Sequence, residues 1–234
     1  MNYQLMIRSF MLFLVKSIVI FSCAAQTGNV KSVIWELKSL KKIDGNKVQV
    51  FGNPVVVKTE LGKAIKFDGV DDRILVDNNP IGSAKEFTIE VIFKADAAYE
   101  ISNQPRFVHF QDPADSLQKR VMVELRLTPE NKWYLDGYML TDAGEKTLVN
   151  RTLTHPLGNW DHAALTFKGN TFTTYVNGVK EMTGQVPYND KLVNEVGKVS
   201  MGGRMNEINY YKGLIKTLKV THRALEPEEF MKIK

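Results

Sequence analysis

The chain has 234 residues, of which 44% are hydrophobic and 24% charged, so its composition is that of a globular protein with one large domain or two small ones. Two of its 31 basic residues, Arg8 and Lys16, lie in an amino-terminal segment that we expect to be removed, which leaves 29 basic against 26 acidic residues. An excess this small and this dispersed does not indicate a nucleic-acid partner.

Residues 1–25 have the pattern of a secretory signal peptide. Arg8 precedes the apolar run "FMLFLVKSIVIF", and the small residues "SCAA" follow it. Lys16 interrupts the apolar run, which disfavours a permanent membrane span. We therefore predict an exported protein, located in the bacterial periplasm, on the outer surface or secreted, whose mature chain has no transmembrane span.

Cys23 is the only cysteine, so the mature domain is expected to contain no disulfide bond. The segment "IFSC" is similar to a bacterial lipobox, in which the cysteine becomes the first mature residue and carries a lipid anchor. Cleavage after Ala25, which makes Gln26 the first mature residue, is the alternative, and both stay open.

After this segment, short stretches rich in β-branched and aromatic residues alternate with turn residues. The predicted strands are, in chain order, "VIWEL", "KVQVF", "PVVVK", "KAIKF", "RILVD", "FTIEVIF", "RFVHF", "VMVELRL", "KWYLDGYM", "HAALTF" and "TFTTYV". Gly169-Asn170 and Asn177-Gly178 are dipeptides typical of two-residue hairpin turns, which need positive φ angles. The pattern indicates an antiparallel β protein.

One helix is predicted, a short one at the carboxyl terminus in "LEPEEFMKIK", with Pro227 near its first turn. No Pro-rich or Ser-rich linker divides the chain, and no repeat is present. Residues 26–234 are therefore predicted to form one all-β domain, a two-sheet antiparallel sandwich with a short C-terminal helix.

Four segments, in this order, carry a resemblance to a known family. They are "GKAIKFDGVDDRILV", "FTIEVIFKAD", "GNWDHAALTFKGNTFTTYVNGVKE" and "YYKGLIKTLKVTHRALEPEEF". Together they resemble the laminin-G-like branch of the concanavalin A-like lectin/glucanase jelly rolls. The resemblance implies a jelly-roll sandwich for residues 26–234 and a carbohydrate surface on its concave sheet.

The resemblance also raises the question of calcium, which members of this branch often hold between the aspartate turn and acidic residues of the closing strand. Asp68, Asp71 and Asp72 are the candidate ligands, but calcium needs six to eight oxygen atoms. Lys216 lies where the family usually has an acid, and its charge would repel the ion. The alternative is that Asp68, Gly69 and Asp72 only shape the turn. Calcium is possible, and no other cofactor is expected.

Three predicted strands carry polar residues on one face, because successive side chains of a strand point to opposite sides of the sheet. In "RFVHFQ", His109 and Gln111 are predicted to share a face with Phe107. The polar faces of the other two strands consist of Arg120, Met122, Glu124 and Arg126 in "RVMVELRL", and of Tyr134, Asp136 and Tyr138 in "KWYLDGYM". If the three strands are neighbours, these faces coincide.

Such a surface suits carbohydrate binding, since sugars present hydroxyl pairs to planar hydrogen-bonding groups and C–H faces to aromatic rings. The predicted ligand-binding residues are Gln111, Arg120, Arg126, Tyr134 and Tyr138, with Arg204 and Asn206 on a loop that would cap the groove. The expected partner is a polysaccharide or oligosaccharide.

Two further hypotheses remain. Glu124 and Asp136 could flank a glycosidic bond as a hydrolase pair. Alternatively, His109 with Tyr134 or Tyr138, together with Arg126 to neutralise a uronate, could form a lyase. A structural or protein-interaction role without a sugar site is the third hypothesis. The sequence leaves open whether the protein is an enzyme.

Overall fold

The computed structural model describes residues 30–96, 104–189 and 196–234. The predicted signal peptide at 1–25 and the proposed lipid attachment at Cys23 lie outside the described residues. Among the residues described, no helix is long and apolar enough to cross a membrane.

The described residues form seventeen strands and one helical turn. In chain order the strands are β1 (Ser32–Glu36), β2 (Lys42–Ile43), β3 (Asn46–Phe51), β4 (Val55–Thr59), β5 (Gly62–Asp68), β6 (Arg73–Val76), β7 (Phe87–Ala95), β8 (Arg106–Gln111), β9 (Arg120–Leu127), β10 (Lys132–Leu140), β11 (Glu145–Val149), β12 (His155–Pro156), β13 (Trp160–Lys168), β14 (Thr171–Val176), β15 (Val179–Gln185), β16 (Lys198–Met201) and β17 (Lys212–Thr221).

These strands build two antiparallel sheets. The eight-stranded sheet has the order β15-β14-β13-β7-β17-β5-β4, with β1 beside β17. The nine-stranded sheet has the order β11-β10-β9-β8-β16-β6-β3-β2, with β12 beside β10. The predicted all-β jelly-roll sandwich is therefore confirmed.

The core lies between the inner faces of the two sheets. Phe93 of the eight-stranded sheet meets Phe107 and Trp133 of the nine-stranded sheet, with ring centroids 4.6 Å and 5.3 Å apart. Tyr211, just before β17, packs 5.6 Å from Phe107. All four rings are fully buried, and each buried ring contributes a large apolar area to the sandwich.

The two predicted hairpin turns are confirmed by their backbone. Gly169 and Asn170 have φ angles of 51° and 68°, and Asn177 and Gly178 have 51° and 82°. Positive φ at both central positions is the mark of the turn that matches the twist of paired strands. The Asn177 side chain also accepts a hydrogen bond from the backbone N–H of His162 at 2.8 Å, which ties the turn to β13.

The predicted C-terminal helix is a single 3-10 turn at Pro227–Glu229. It ends because Phe230 is extended, with φ −65° and ψ 153°, and packs its ring 5.0 Å from the ring of Tyr175. The next backbone N–H, of Met231, donates to the Glu90 carboxylate at 2.5 Å. These contacts attach the end of the chain to the outer face of the eight-stranded sheet.

Candidate functional site

Strands β8, β9 and β10 lie side by side, so the prediction that their polar faces coincide is confirmed. Asp136 pairs with Glu124, and His109 pairs with Met122. Alternate residues of these strands fill the core, which leaves the polar set on the outer face of the nine-stranded sheet. We call this surface the arginine face; it comprises Arg73, Arg106, His109, Gln111, Arg120, Glu124, Arg126, Tyr134, Asp136 and Tyr138 from the strands and Arg204 from the loop before β17.

A β-bulge in β8 corrects the predicted face of Phe107. The pairing with β9 shifts between Arg106 and Val108, so one extra residue is inserted at this point. Phe107 therefore lies in the core and does not share a face with His109. The same bulge brings Arg106, which strict alternation would point inward, next to Glu124 on the outer face.

The two acidic side chains of the arginine face are each held by an arginine. Arg106 Nε donates to Glu124 Oε1 at 2.5 Å, and Arg126 donates to Asp136 Oδ2 at 2.6 Å. Arg126 Nη2 also lies 3.8 Å from Glu124 Oε2. Both acidic residues are only 1% exposed, so they lie beneath the guanidinium groups that they position.

Burial raises the pKa of both carboxyl groups. It raises the pKa of Glu124 to about 7, against the opposing effect of Arg106, and repulsion from Asp136 adds to the rise. Burial also raises the pKa of Asp136, although Arg126 opposes it. A carboxyl group whose pKa is near 7 and that lies beside a second carboxyl group is common in catalytic sites and also in buried ion pairs.

His109 is a neutral hydrogen-bond donor under this surface. Its Nδ1 accepts the backbone N–H of Met205 at 3.2 Å, so the proton of the neutral ring is on Nε2. Burial holds its pKa well below the ordinary value, and four positive charges lower it further, those of Arg204, Arg120, Arg106 and Arg73. His109 is 1% exposed, and its Nε2 is buried without a partner.

The loop after β16 is fixed to the arginine face by side chains of two strands. Arg73 donates to the backbone oxygen of Met205 at 3.5 Å and to Glu207 at 3.2 Å. Ser200 Oγ donates to the backbone oxygen of Gly203 at 2.7 Å. These bonds position the loop residues that face the solvent above the sheet.

A cleft of about 260 Å³ lies between this loop and the loop that joins β8 to β9. We call it the Arg204 cleft; it is lined by Gln111, Pro113, Gln118, Arg204, Met205 and Asn206. The β8–β9 loop is held by a buried ion pair between Lys119 and Asp115, whose charged atoms are 2.8 Å apart. Hydrogen bonds and an ion pair therefore hold both of the loops that form the walls of the cleft.

Arg120 lies next to the cleft and is bound by neutral groups. Its Nη1 donates to the backbone oxygen of Gln118 at 3.0 Å, and its Nη2 donates to the Tyr138 hydroxyl at 3.2 Å. Tyr138 in turn donates to Glu145 of β11. Burial raises the pKa of Tyr138 to about 12, and the Glu145 carboxylate adds to the rise, so Tyr138 keeps its proton.

Some of the predicted site residues line the cleft, and others are buried beneath the surface of the sheet. Gln111, Arg204 and Asn206 line the cleft, and Arg120 and Tyr138 adjoin it. Glu124, Asp136 and His109, the predicted catalytic residues, are buried below, and the predicted ligand-binding residues Arg126 and Tyr134 are paired across β9 and β10. Three residues of the site were not predicted from the sequence: Arg73, Arg106 and Glu145.

The aspartate turn lies away from these strands, at the connection from β5 to β6. Asp68 Oδ1 accepts the backbone N–H of Val70 at 2.8 Å, and Asp72 accepts those of Asn53 and Asp68 at 2.6 Å and 2.9 Å. The predicted turn-shaping role of Asp68 and Asp72 is thus confirmed. Ligand atoms of Asp68, Asp71 and Asp72 lie within 4.8 Å of one another, so a weak calcium site stays a prediction.

Lys216, the residue expected to repel a calcium ion, is not the strand partner of Asp68. Lys216 lies at the irregularity of β17 and pairs with Glu36 at 3.6 Å. Lys212 is the residue that pairs with Asp68 across β5 and β17.

A second cleft, of about 490 Å³, opens on the eight-stranded sheet. Its lining includes Lys58, Lys66 and Lys94 together with Glu60 and Asp96. None of the predicted site residues lies there.

Comparison with known proteins identifies the family to which this fold belongs. The model of a laminin-G family, described as the concanavalin A-like lectin/glucanases superfamily, matches residues 68–230. None of the curated proteins matches the chain significantly.

Several solved structures are similar at low identity. Domain 4 of AbnA, a GH43 extracellular arabinanase from Geobacillus stearothermophilus in complex with arabinotriose, has a TM-score of 0.62 and 16% identity over 86% of this chain and 96% of that one. The binding domain of Paraclostridial Mosquitocidal Protein 1 has a TM-score of 0.59 and 17% identity over 84% of this chain. The binding domain of Botulinum neurotoxin DC in complex with SialylT has a TM-score of 0.58 and 12% identity over 84% of this chain. This chain spans 49% of each toxin binding domain, and identities this low show the fold alone.

Proposed function

We propose that this chain, which belongs to a laminin-G family of the concanavalin A-like lectin/glucanases superfamily, is an exported domain that binds a polysaccharide or oligosaccharide on its arginine face. The observation that carries the proposal is the convergence of Gln111, Arg204 and Asn206 on one open cleft, beside Arg120 and Tyr138. Export is proposed from the pattern of residues 1–25.

The chemistry of the cleft suits a sugar. Arginine and amide side chains are planar and offer paired donors or acceptors, which match vicinal hydroxyl groups of a pyranose or furanose ring. The cleft walls are fixed by Lys119–Asp115 and Arg73–Glu207, so binding does not have to order them. Two of the similar folds are described in complexes with arabinotriose and SialylT, which supports a sugar ligand by analogy.

Catalysis by Glu124 with Asp136 is the second candidate, because a pKa of about 7 suits a general acid. Against it, both carboxyl groups are 1% exposed and each is occupied by an arginine. We infer that these two residues position Arg106 and Arg126, and that the domain binds without cleaving.

The test is retention of the purified protein in native gels that contain neutral or acidic polysaccharides, with product release measured in parallel. We expect retention in at least one gel without products. Replacing both Gln111 and Asn206 with Ala removes two cleft amides and should weaken retention several-fold, while Gln185→Ala on β15 of the other sheet is the matched control. Wild-type protein that no gel retains would favour a structural or protein-interaction role. Products that disappear in Glu124→Gln would establish an enzyme.

A further inference from the structure

We propose that the ligand of the arginine face is an anionic glycan, and that its carboxylate or sulfate group binds in the Arg204 cleft between Arg204 and Arg120. This inference rests on the proposed carbohydrate-binding function and adds the chemical class of the sugar. It follows from the ion pairs of the face, its unpaired buried donors, the repulsion between its arginines and the accessibility of Arg204 and Arg120.

The charge balance leaves two arginines without a counter-ion. Arg106, Arg126 and Arg73 have carboxylate partners in Glu124, Asp136 and Glu207. Across the described ranges of the chain, Arg204 and Arg120 form no ion pair. Arg120 donates to a backbone oxygen and to the Tyr138 hydroxyl group, and its guanidinium group lies over the Tyr138 ring, 4.9 Å from the centroid. The guanidinium groups beside the cleft are therefore the two on this face that form no ion pair, although the Glu124 carboxyl group is close enough to Arg204 to raise its pKa.

The unpaired hydrogen-bonding atoms also indicate a negatively charged ligand. Among the described residues, the buried atoms of this face that lack a partner are Arg73 Nε, Arg106 Nη1, His109 Nε2, Arg120 Nε and Asp136 Oδ1. Four of these atoms are nitrogen donors and one is an acceptor. Since a buried donor without an acceptor is costly, a surface with this excess favours a ligand rich in acceptor oxygens, and a carboxylate or sulfate offers acceptors only.

Repulsion between the arginines adds a driving force. Burial lowers the pKa of Arg204, and the charges of Arg106 and Arg120 lower it further, while Glu124 partly opposes them. An anion placed between Arg204 and Arg120 relieves this repulsion, while a neutral hydroxyl group does not. His109 stays uncharged under the cleft and so contributes a donor without a further positive charge.

The two arginines are also accessible. Arg204 and Arg120 are partly exposed, and Gln118 and Asn206 at the rim of the cleft are exposed. Glu124 and Asp136 are covered, so a negatively charged group that enters the cleft meets guanidinium groups first. Charge-assisted bonds from Arg to a carboxylate or sulfate are among the strong hydrogen bonds of proteins.

The experiment compares polymers that differ only in charge. Binding of the purified protein is measured by affinity electrophoresis at about 0.15 M salt, where long-range attraction is screened. One pair is polygalacturonate and its methyl ester, which tests a carboxylate; the other is dextran sulfate and dextran, which tests a sulfate. We expect the charged member of at least one pair to bind at least about tenfold more tightly than its neutral counterpart.

Variants then locate the binding. Arg204→Gln and Arg120→Gln should each weaken binding of the charged polymer by about tenfold. Arg223→Gln removes the same charge from the eight-stranded side, where Arg223 pairs with Glu229, and should change binding by less than about twofold. Equal losses in all three variants would mean unspecific attraction of a polyanion and would overturn the inference.

The remaining outcomes separate the two proposals. Retention by neutral polymers alone would overturn the anionic inference and leave the carbohydrate-binding function standing. Retention by no polymer of a broad panel would overturn both. A preference for polygalacturonate would assign a uronate, and a preference for dextran sulfate would assign a sulfated sugar; either result supports the inference.

Discussion

Glu124 is the residue at which the energetics of the arginine face can be measured directly. It lies beneath the surface, bound to Arg106 and beside Asp136, and burial raises its pKa from an ordinary 4.5 to about 7. The folded protein therefore holds this proton more tightly than the unfolded chain does. Ionising Glu124 in the folded state costs free energy, which the bond from Arg106 only partly offsets.

This environment predicts a pH dependence with a definite sign. Below about pH 4.5 the group is protonated in both states, and between about 4.5 and 7 the unfolded chain loses the proton first, so the free energy of unfolding falls as pH rises. The full effect is about 3 kcal/mol and is reached above pH 7. Glu124→Gln lacks this loss, so its stability relative to wild type should rise by that amount from pH 4.5 to pH 8.

Urea denaturation at several pH values measures this difference. A constant offset between the two proteins, caused by the changed bond to Arg106, does not affect the test because only the slope with pH matters. Glu228→Gln, at an exposed position of the C-terminal turn, is the control and should run parallel to wild type. Parallel curves for Glu124→Gln as well would contradict the assigned environment.

At the scale of elements, the bulge in β8 and the loop after β16 determine how the face is built. The bulge brings Arg106 to the outer surface, and the loop brings Arg204 over it. Gly202 begins this loop with φ 88°, and a Cβ there would lie 2.2 Å from the ring of Phe67 and 2.9 Å from the Asp72 backbone oxygen. Only glycine fits both the conformation and the space.

Gly202→Ala should therefore destabilise the domain by about 3 kcal/mol through the clash with Phe67. Gly178→Ala is a matched control, because Gly178 has a similar φ of 82° but no atom within 4 Å of the added Cβ. Its cost should be about 1 kcal/mol, from backbone strain alone. Thermal denaturation of both variants compares them, and equal losses would contradict the close packing at Gly202.

Alternation predicted β9 and β10 well, because their apolar residues repeat at every second position and need no knowledge of neighbours. It failed at β8, where an arginine on the predicted inner face, next to Phe107, was the signal of a bulge. Strand β15, "VKEMTGQ", has no apolar alternation and forms because the Asn177–Gly178 turn returns the chain along β14. Arg73 and Glu145 reach the site through pairings that local sequence does not encode.

In the molecule as a whole, the outer faces of the two sheets are built differently. The nine-stranded sheet carries the arginine face, while the C-terminal tail, residues 225–231, covers part of the eight-stranded sheet. Leu225 and Phe230 of the tail pack with Ala164 and Tyr175. Buried Glu90 receives the tail as well, and although burial opposes ionisation, hydrogen bonds from His162 and Lys219 lower its pKa.

Phe230→Ala should consequently reduce stability without reducing glycan binding. The ring is 4% exposed, so its removal should cost about 3 kcal/mol and lower the melting temperature by several degrees. Binding at a temperature where the variant is folded should equal that of wild type, because the tail lies on the opposite sheet. A parallel loss of affinity would indicate a ligand site that includes the tail.

Chemical-shift mapping can decide whether carbohydrate binds on the arginine face. Nitrogen–proton correlation spectra are recorded while an oligosaccharide is added that derives from a polymer found to retain the protein. We expect the shifts to concentrate in β8, β9 and β10 and in residues 203–207 around the Arg204 cleft. Shifts confined to the cleft of Lys58, Lys66 and Lys94 on the other sheet, or to the C-terminal tail, would contradict it.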